Sequence, residues 1–478
     1  MNQSLYRELV GLIGESSVAA DDFALYAVSA DAGFEKGGLA DVIVRPKTTG
    51  EVAKIMKLAT DTGTPVILRG GASSAAGGAT PTRPGGILMD LTDMNRLLEI
   101  NTETSTVTAE AGITFGEMVA AVHPLGYTFC FGGHAVYSAT LGGCIANTSV
   151  SIGSGRYGMF GHQVVNITAV TPTGDIVRTG SDAMKKGGRF QRYCNGPDLA
   201  GLFIGGSGIL GVITEATLRL YPLPEARRFQ VYCFEDLEKG TLASIRLDQA
   251  GVFDGIINFG GHTIAVVRAA GGPAQKVPEG TQLIFRCSLA GDEAYVDHHL
   301  AKLDRLAAEH GGLAIGPELA DPVTYDLMGT EFSKLRIYGV IAPIACLTPM
   351  MKIPEITVMV EDYLKSYEHV ILNVGNTGLK NWTNTGVLTQ GASISYAGRI
   401  SFTEDPATRE QAYRIWHNLL EKMIELGGCP YWTGKTWTPH MVRGYRPEYL
   451  AFLRRMKQAM DPKNILNPGL LLEELDKQ

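Results

Sequence analysis

The stretch RGGASSAAGG, from Arg69 to Gly78, holds four glycines, three alanines and two serines after a single arginine. It follows the apolar run Pro65 to Leu68, which is typical of a short buried strand. Small residues after a strand let successive backbone N–H groups point at one anion, so the stretch is a candidate phosphate cradle. The same composition is also typical of a flexible turn. These ten residues leave both interpretations open, and the flanking sequence has to decide between them.

The composition is that of an ordinary globular protein. The 478 residues are 45% hydrophobic and 19% charged, which suffices for two or three domains. The net charge of −7 and the dispersed lysines and arginines exclude a basic surface for nucleic acid. Seven cysteines without a CxxC spacing argue against a disulfide framework, a metal cluster or a zinc site.

Two patterns bear on the location of the protein. Residues 1–18 lack a basic region followed by a long apolar core, so we expect no signal peptide. No apolar run reaches the roughly 18 residues that span a bilayer, so we expect no transmembrane segment. Together these patterns predict a reduced, cytoplasmic protein.

Hydrophobic periodicity around the glycine-rich stretch predicts a strand–helix–strand unit. The first strand is Val42–Val44, and the second ends at the glycines. The helix is predicted over Thr48–Thr60, with Thr49 or Gly50 near its cap. Its buried face is expected to consist of Val52, Ile55, Met56 and Ala59. Further along, the Thr-Gly-Asp at 173–175 between two alternating runs predicts a hairpin.

Changes in the pattern of predicted strands, helices and turns divide the chain into four segments. Residues 1–36 are predicted to be a helical lead-in, and 37–224 are rich in short strands and glycine turns. The proline-punctuated YPLPEARR marks a boundary, after which 225–425 alternate strands with amphipathic helices. That pattern is typical of an α+β domain with an antiparallel sheet. Residues 426–478 form a C-terminal return, and the predicted fold class is α+β.

A set of motifs follows the glycine-rich stretch in a fixed order: TLGGCIAN (140–147), GRYG (155–158), DLAGLFIGGSGILGVITEATLRLYPLP (198–224) and DPKNILNPG (461–469). This order resembles the vanillyl-alcohol oxidase or p-cresol methylhydroxylase (PCMH-type) FAD-binding superfamily. It is most similar to the branch that contains the FAD-binding subunit of glycolate oxidase and the D-lactate and D-2-hydroxyglutarate dehydrogenases. The resemblance implies a two-subdomain PCMH-type FAD-binding domain over 37–224. It also implies an inserted α+β cap (substrate) domain over 225–425 and a return to the FAD domain after it.

The resemblance also implies where the cofactor is held. The backbone N–H groups from Gly70 to Ser74 would bind the FAD pyrophosphate, because two buried phosphates need many aimed donors and no bulky Cβ. Residues of the second motif would form the second wall, and the main chain of Ile213 would touch the cofactor. The expected contacts are Arg69, Gly70, Gly71, Ala72, Ser73, Ser74, Gly77, Gly78, Thr140, Gly142, Gly143, Gly158, Ile213 and Asn467.

The chain departs from the family pattern in its loops. The family's loop reads more like R-G-A-G-T-G, so Ala72 and Ser74 replace glycines. A positive φ at either would cost about 1 kcal/mol, and we therefore expect a slightly different loop path. The run Thr148–Ser151 replaces an Asn-Ala-Gly-Gly run, and its bulkier residues face the flavin or displace that turn.

Two further departures concern the cofactor link and a metal. Ala72 takes the place of the histidine that binds FAD covalently in some relatives, and Cys130 lacks the spacing of the cysteinyl-linked ones, so FAD is expected to be non-covalent. The stretches GASISYAGRISF (391–402) and CPYWTGKTW (429–437) stand where 2-hydroxy acid dehydrogenases of this branch carry histidine and acidic metal ligands. Since a divalent metal needs such ligands, we expect no catalytic metal.

The C-terminal return and the cap hold the candidate catalytic groups. A flavin dehydrogenase needs the protein to orient the substrate and to manage one proton. Lys435 is a candidate partner for a substrate carboxylate or the flavin N1–C2 region, and His440 is a candidate base. Arg399 and Arg336 offer planar forks for a carboxylate. The expected catalytic set is His440, Lys435, Tyr431, Arg399, Tyr396 and Arg336.

Each of these residues also has a structural interpretation, which stays open. Trp432 and Trp437 beside Tyr431 either wall an aromatic substrate or pack in the core. Lys435 is equally a surface lysine, and His440 equally a loop histidine. A strand arginine, such as Arg399, is commonly solvent-facing.

The function implied is an FAD-dependent dehydrogenase that removes a hydride from a hydroxyl-bearing carbon, with a small 2-hydroxy acid as the default substrate. One alternative is a bulkier or aromatic alcohol or phenol, and another is an electron-relay flavoprotein subunit. The electrons would pass to an iron–sulfur or electron-transfer flavoprotein partner subunit, or to a quinone. We expect a homo-oligomer or a subunit of a complex.

Overall fold

The computed structural model describes residues 3–34, 37–130, 135–150, 153–193, 196–251, 253–269, 272–320, 339–373, 376–388 and 392–472. The chain divides into two compact units. The first unit comprises Met1–Ser149, Phe160–Leu223 and Trp432–Gln478, and the second unit comprises Val150–Met159 and Pro224–Tyr431. The short excursion at 150–159 into the second unit has no counterpart in the segments expected from the sequence.

The first unit contains two main sheets. In the first sheet the strand order is β1-β2-β4-β3, with β4 parallel to both β2 and β3. The second is an antiparallel sheet of order β5-β6-β10-β8-β9. The strands of this unit are β1 Val18–Ala19, β2 Val42–Val44, β3 Val66–Arg69, β4 Ile87–Asp90, β5 Leu97–Asn101, β6 Thr106–Glu110, β7 Tyr127–Thr128, β8 Val164–Val170, β9 Ile176–Arg178, β10 Val212–Arg219 and β11 Tyr221–Pro222.

The helices of the first unit flank these sheets. They are α1 Gln3–Ile13, α2 Asp22–Ala27, α3 Thr49–Thr62, α4 Phe115–Val122 and α5 Leu141–Asn147, followed near the C-terminus by Thr438–Gly444 and Pro447–Met460. The predicted strand–helix–strand unit is present, but the cap of α3 is Thr48, whose side chain accepts the Glu51 N–H at 3.1 Å. The helix ends at Gly63, where φ is 68°. Its buried face is the predicted one, because Val52, Ile55, Met56 and Ala59 are all fully buried.

The second unit is built on a nine-stranded sheet in which every strand pair is antiparallel, in the order β15-β12-β14-β13-β18-β19-β17-β20 with β16 beside β19. The strands are β12 Ala226–Phe234, β13 Phe253–Phe259, β14 Leu283–Gly291, β15 Leu313–Ala314, β16 Val340–Ala342, β17 Ala345–Pro349, β18 Trp382–Leu388, β19 Ala392–Phe402 and β20 Cys429–Pro430. The helices are α6 Ser154–Tyr157, α7 Leu237–Gln249, α8 Gly261–Ala269 and α9 Glu293–Glu309, then Ile353–Lys365 and Pro406–Glu425.

None of the helices in the described part of the chain has both the length and the apolar character that crossing a membrane requires.

A buried ion pair fixes the C-terminal end of the first unit. The side chains of Lys457 and Asp461 are 3% and 1% exposed, and Lys457 Nζ lies 2.6 Å from Asp461 Oδ2. Lys457 Nζ also donates to the carbonyl oxygens of Ile209 and Leu466, at 2.9 and 2.7 Å. Asp461 accepts the N–H groups of Ile465 and Leu466. Removing one partner of such a pair costs about 3–5 kcal/mol, so the pair locks residues 457–466 against the loop before β10.

A buried carboxyl holds the segment 150–159 within the second unit. The Arg156 N–H points at Asp254 Oδ1 at 3.4 Å, and Arg156 Nη1 donates to the Ala290 carbonyl oxygen at 2.5 Å. Burial raises the pKa of Asp254 to about 7, although the charges of Arg227 and Arg156 oppose the rise. The carboxyl is therefore a point at which pH acts on this unit.

We predict that Asp254 makes the stability of the protein fall as the pH rises from about 4 to about 7. Because the folded-state pKa lies above the ordinary value of 3.8, the folded protein binds this proton more tightly than the unfolded chain does. The stabilisation is complete below pH 4 and is lost through pH 7, at most about 4 kcal/mol. Urea unfolding of Asp254→Asn should lack this slope. Asp297→Asn, which removes an exposed carboxylate of the same unit, should keep it, and parallel pH curves for all three proteins would refute the assignment.

Candidate functional site

The glycine-rich loop approaches another backbone so closely that Gly71 has no room for a side chain. A Cβ on Gly71 would overlap the carbonyl oxygen of Ser138, and a Cβ on Gly70 would lie 2.5 Å from Thr140 Oγ1. The loop that follows β3 therefore runs directly along the residues that lead into α5. The sequence predicted that these glycines allow a cofactor to come close. In the structure, the nearest neighbour of Gly71 is the backbone of Ser138.

The backbone path of the loop shows which of the two residues at glycine positions, Ala72 or Ser74, is strained. Ala72 has a φ of 48°, in the left-handed region, while Ser74 is not among the described residues with positive φ. The strain of about 1 kcal/mol thus falls on Ala72 alone. The Ala32 N–H is shared between the carbonyl oxygens of Ala72 and Ser74, at 3.2 Å each. This contact supports the strained residue from the N-terminal segment.

The loop presents a row of unused hydrogen-bond donors. Among the described residues, no acceptor is bonded to the backbone N–H groups of residues 70–74. The hydroxyls of Ser74 and Thr140 are buried and likewise have no partner in the described part of the chain. Buried polar groups in proteins are nearly always bonded, so the two buried hydroxyls call for a partner. Together with the five N–H groups of the half-buried residues 70–74, they fit a ligand rich in acceptors. The phosphate oxygens of FAD are such acceptors, and the residues present fit that cofactor.

The start of α5 forms the other side of this arrangement. Thr140 is the N-cap residue, but its side chain makes no cap hydrogen bond. A Cβ on Gly142 would lie 2.7 Å from the Cβ of Ala111, and one on Gly143 would lie 3.1 Å from Thr140 Oγ1. The small residues of TLGGCIAN therefore allow α5 to pack against the end of β6 with its first turn beside the glycine-rich loop.

The remaining expected cofactor contacts lie in different settings. Ile213 on β10 is 4% exposed, and its side chain packs in the core of the first unit. Asn467 accepts the Leu68 N–H at 2.9 Å and donates to the Ser207 carbonyl oxygen at 2.7 Å. Both ends of that amide are therefore used to fix the strand that leads into the loop. Gly158, with a φ of 75°, lies in the second unit.

The candidate catalytic residues of the C-terminal return separate into two groups. In the first unit, the side chain of Lys435 lies along the glycine-rich loop, since a Cβ on Gly77 would be 2.7 Å from its Cγ. Trp437 is completely buried and meets the half-buried Trp432 edge to face at 5.6 Å between ring centres, so Trp437 packs in the core. Tyr431 belongs to the second unit, where its hydroxyl accepts the Val150 N–H at 2.7 Å.

His440 is held in one tautomer. It is 2% exposed, in the helix Thr438–Gly444, and Arg443 Nη2 lies 3.1 Å from its Nδ1. A guanidinium can only donate, so Nδ1 accepts, and the neutral ring carries its proton on Nε2. In this arrangement the neutral ring has no lone pair on Nε2, and the base role that the sequence suggested stays a prediction.

For the candidate catalytic residues Tyr396 and Arg399, the strand register gives the residues that lie opposite them. Tyr396 lies opposite Thr385 on one side and Ala345 on the other, and Arg399 lies opposite Thr383. A bulge between Thr383 and Thr385 lets three steps along β19 match two along β18. Arg336 and its neighbour Tyr338 lie outside the described residues.

A polar row on neighbouring strands of the second unit has no signal in the sequence. Asp254 pairs with Ser288, and Asn258 pairs with Thr385, so these side chains share one sheet face with Arg286 by strict alternation. Arg286 is 6% exposed. Asn258 Oδ1 and Ser288 Oγ are buried without a partner among the described residues. Isolated polar residues in apolar strands carry no motif, and only the register brings them together.

No cluster of histidine, cysteine and acidic side chains that could hold a metal occurs within the described ranges. Cys130 is buried, and Gln163 Oε1 accepts its backbone N–H at 3.0 Å.

Comparisons with known proteins agree with this geometry. Residues 40–180 match the family described as an FAD binding domain, and residues 333–471 match the C-terminal domain of FAD linked oxidases. The chain is 23% identical to glycolate oxidase subunit GlcD of Bacillus subtilis, over 98% of this chain and 97% of that protein. It is 24% identical to a D-lactate dehydrogenase of Archaeoglobus fulgidus, over 91% and 92%.

A solved structure shows the fold. The crystal structure of p-cresol methylhydroxylase with substrate bound matches 100% of this chain and 98% of its own, with a TM-score of 0.83 at 17% identity. The predicted α+β, PCMH-type fold and the predicted FAD cofactor are confirmed.

We predict that Gly71→Ala abolishes FAD binding at micromolar concentrations, because the added Cβ would push the loop away from Ser138 and misalign its N–H groups. The measurement is the flavin absorbance retained after purification, together with FAD titration of the apoprotein. The control is Gly11→Ala in α1, where a Cβ meets nothing within 4 Å. Retention of FAD by Gly71→Ala at the wild-type level would contradict the loop's role.

Proposed function

Because the chain belongs to the FAD-linked oxidases of the PCMH-type superfamily, we propose that it is a dehydrogenase that oxidises the hydroxyl-bearing carbon of a small 2-hydroxy acid. The observation that carries the proposal is the row of free donors from Gly70 to Ser74, which equips the chain for the cofactor. Bound non-covalently, FAD supplies the hydride acceptor for such an oxidation. The protein's own task is to hold the cofactor, orient the substrate carbon and manage the hydroxyl proton.

The choice of a 2-hydroxy acid rests on relatives and on charge. Two relatives of nearly full length are named for glycolate and D-lactate. To bind the carboxylate of such a substrate, the protein needs a cation and hydrogen-bond donors at one place. The second unit offers Arg399 on β19 and the polar row of Arg286, Ser288 and Asn258 on β13 and β14.

The candidate residues are assigned roles by their chemistry and, for His440 and Tyr431, by their contacts. Arg399 is the proposed carboxylate anchor, with Arg336 as a second anchor and Tyr396 as a hydrogen-bond partner of the substrate hydroxyl. For His440 we propose a positioning role, since its Nδ1 faces Arg443. Tyr431 is tied to the Val150 N–H through its hydroxyl, which favours a positioning role for it.

The electrons would leave to a partner. One relative is named as a subunit of glycolate oxidase, which supports a multi-subunit arrangement for this chain too. The sequence contains no cysteine motif for a cluster, so we place an iron–sulfur relay, or an electron-transfer flavoprotein, in a separate subunit. A quinone is the other acceptor to be tested.

A second candidate is oxidation of an aromatic alcohol or phenol, favoured by the half-buried Trp432 beside Trp437. A third is an electron-relay subunit without substrate chemistry of its own. The three functions differ in which compound reduces the flavin.

We predict that anaerobic mixing with glycolate or D-lactate bleaches the flavin absorbance near 450 nm. Tyr396→Phe should slow this reduction up to about tenfold, the scale of one lost hydrogen bond to the reacting hydroxyl, with FAD retained. Arg399→Lys should weaken substrate binding, because a lysine cannot form the bidentate contact.

The control for that experiment is Arg246→Lys, which changes an arginine on the helix Leu237–Gln249 of the same unit and should behave as wild type. Bleaching by 4-alkylphenols or benzylic alcohols alone would select the second candidate. Reduction by dithionite and by no member of either panel would select the relay.

A further inference from the structure

The glycine-rich loop is held from the N-terminal side by a segment to which the sequence assigned no role. Arg69 Nη1 donates to the carbonyl oxygens of Val28 and Ala30, at 3.1 Å each, and to that of Ala79 at 3.2 Å. The three carbonyl oxygens surround Nη1 and share its two hydrogens. Arg69 therefore fixes the two ends of the loop to residues 28–30.

A carboxylate in the same segment reaches the C-terminal end of the loop. Asp31 Oδ2 accepts the Gly77 N–H at 2.8 Å, and Oδ1 accepts the Gly33 N–H at 2.8 Å. Burial raises the pKa of Asp31, while the two N–H groups and the charges of Lys435 and Arg69 oppose that rise. A negative charge this close to a phosphate-binding loop repels an anion. The Asp31 carboxylate therefore needs a stabilising contact that offsets this repulsion.

The C-terminal return closes on the same point. A Cβ on Gly77 would lie 2.7 Å from Cγ and 3.0 Å from Cε of Lys435, so the lysine stem lies flat on the loop. A Cβ on Gly434 would overlap the Ala76 carbonyl oxygen. Residues 76 and 77 are thus enclosed by residues 434 and 435 on one side and by Asp31 on another.

We propose that Asp31 and Lys435 form a clamp on Gly77 that holds the glycine-rich loop in its FAD-binding conformation. The carboxylate accepts the N–H of Gly77, beyond the row of donors at 70–74. The lysine supplies both packing and a positive charge for this half-buried carboxylate. Lys435 then acts on the loop as a positioning residue and does not touch the substrate. This inference rests on the FAD site and is independent of the substrate class.

The test is a titration of FAD into apoprotein, followed by flavin fluorescence, for Asp31→Ala, Asp31→Asn, Lys435→Met and the double variant Asp31→Ala/Lys435→Met. We expect the Kd for FAD to rise at least about tenfold in Asp31→Ala and in Lys435→Met, and the double variant to be no weaker than the weaker single one, because the two act as a unit. The controls are Asp22→Ala in α2 and Lys54→Met in α3, both exposed, which should leave the Kd unchanged within about twofold. Thermal unfolding of each apoprotein reports whether the variant is folded, and Asp31→Asn, which keeps the shape, carries the test should Asp31→Ala unfold.

Three results would overturn the clamp. Tighter FAD binding by Asp31→Ala or Asp31→Asn would mean that the carboxylate acts only by repulsion. Effects that multiply in the double variant would mean that the two residues act separately. Wild-type FAD affinity in Lys435→Met would mean that the lysine does not hold the loop. Since the titration contains no substrate, its outcome is separate from that of the proposed function.

Discussion

The near-contact between Gly71 and the Ser138 carbonyl oxygen is the constraint on which the FAD site depends. Two backbone segments of the first unit meet there without room for a single Cβ. Their closeness leaves the N–H groups of residues 70–74 without protein acceptors among the described residues, beside the hydroxyls of Ser74 and Thr140. The cost is visible in the positive φ of Ala72, a strain that the neighbouring contacts of the loop must offset.

The C-terminal return stabilises this geometry from a distance of nearly 400 residues along the chain. Asn467 bonds to the strand before the loop and to Ser207, and Lys457 bonds to Ile209 and Leu466 from a site closed to water. An amide and an ammonium bonded to the backbone in this way act as cross-links between loops. They explain how short strands and glycine turns remain ordered around a loop that has donors left unpaired.

Much of the local structure could be predicted from the sequence, because its causes are local. The strand Val42–Val44, the buried face of α3 and the hairpin at Gly174 follow from periodicity and turn chemistry, and only the cap moved, from Thr49 or Gly50 to Thr48. The order of motifs led to the fold and to FAD, since a family pattern carries long-range information. Asp31 escaped notice because its partner Gly77 is 46 residues away, and the polar row at Asp254, Arg286 and Asn258 exists only through strand register. Side-chain roles set by tertiary neighbours, such as the tautomer of His440, have no signature in one sequence.

The most direct test of this account is a crystal structure of the protein with FAD bound. The account predicts that pyrophosphate oxygens lie within about 3.2 Å of several N–H groups from Gly70 to Ser74 and of the hydroxyls of Ser74 and Thr140. It also predicts that Asp31 keeps its bond to the Gly77 N–H. A pyrophosphate bound elsewhere, with the five N–H groups still without acceptors, would contradict the central claim.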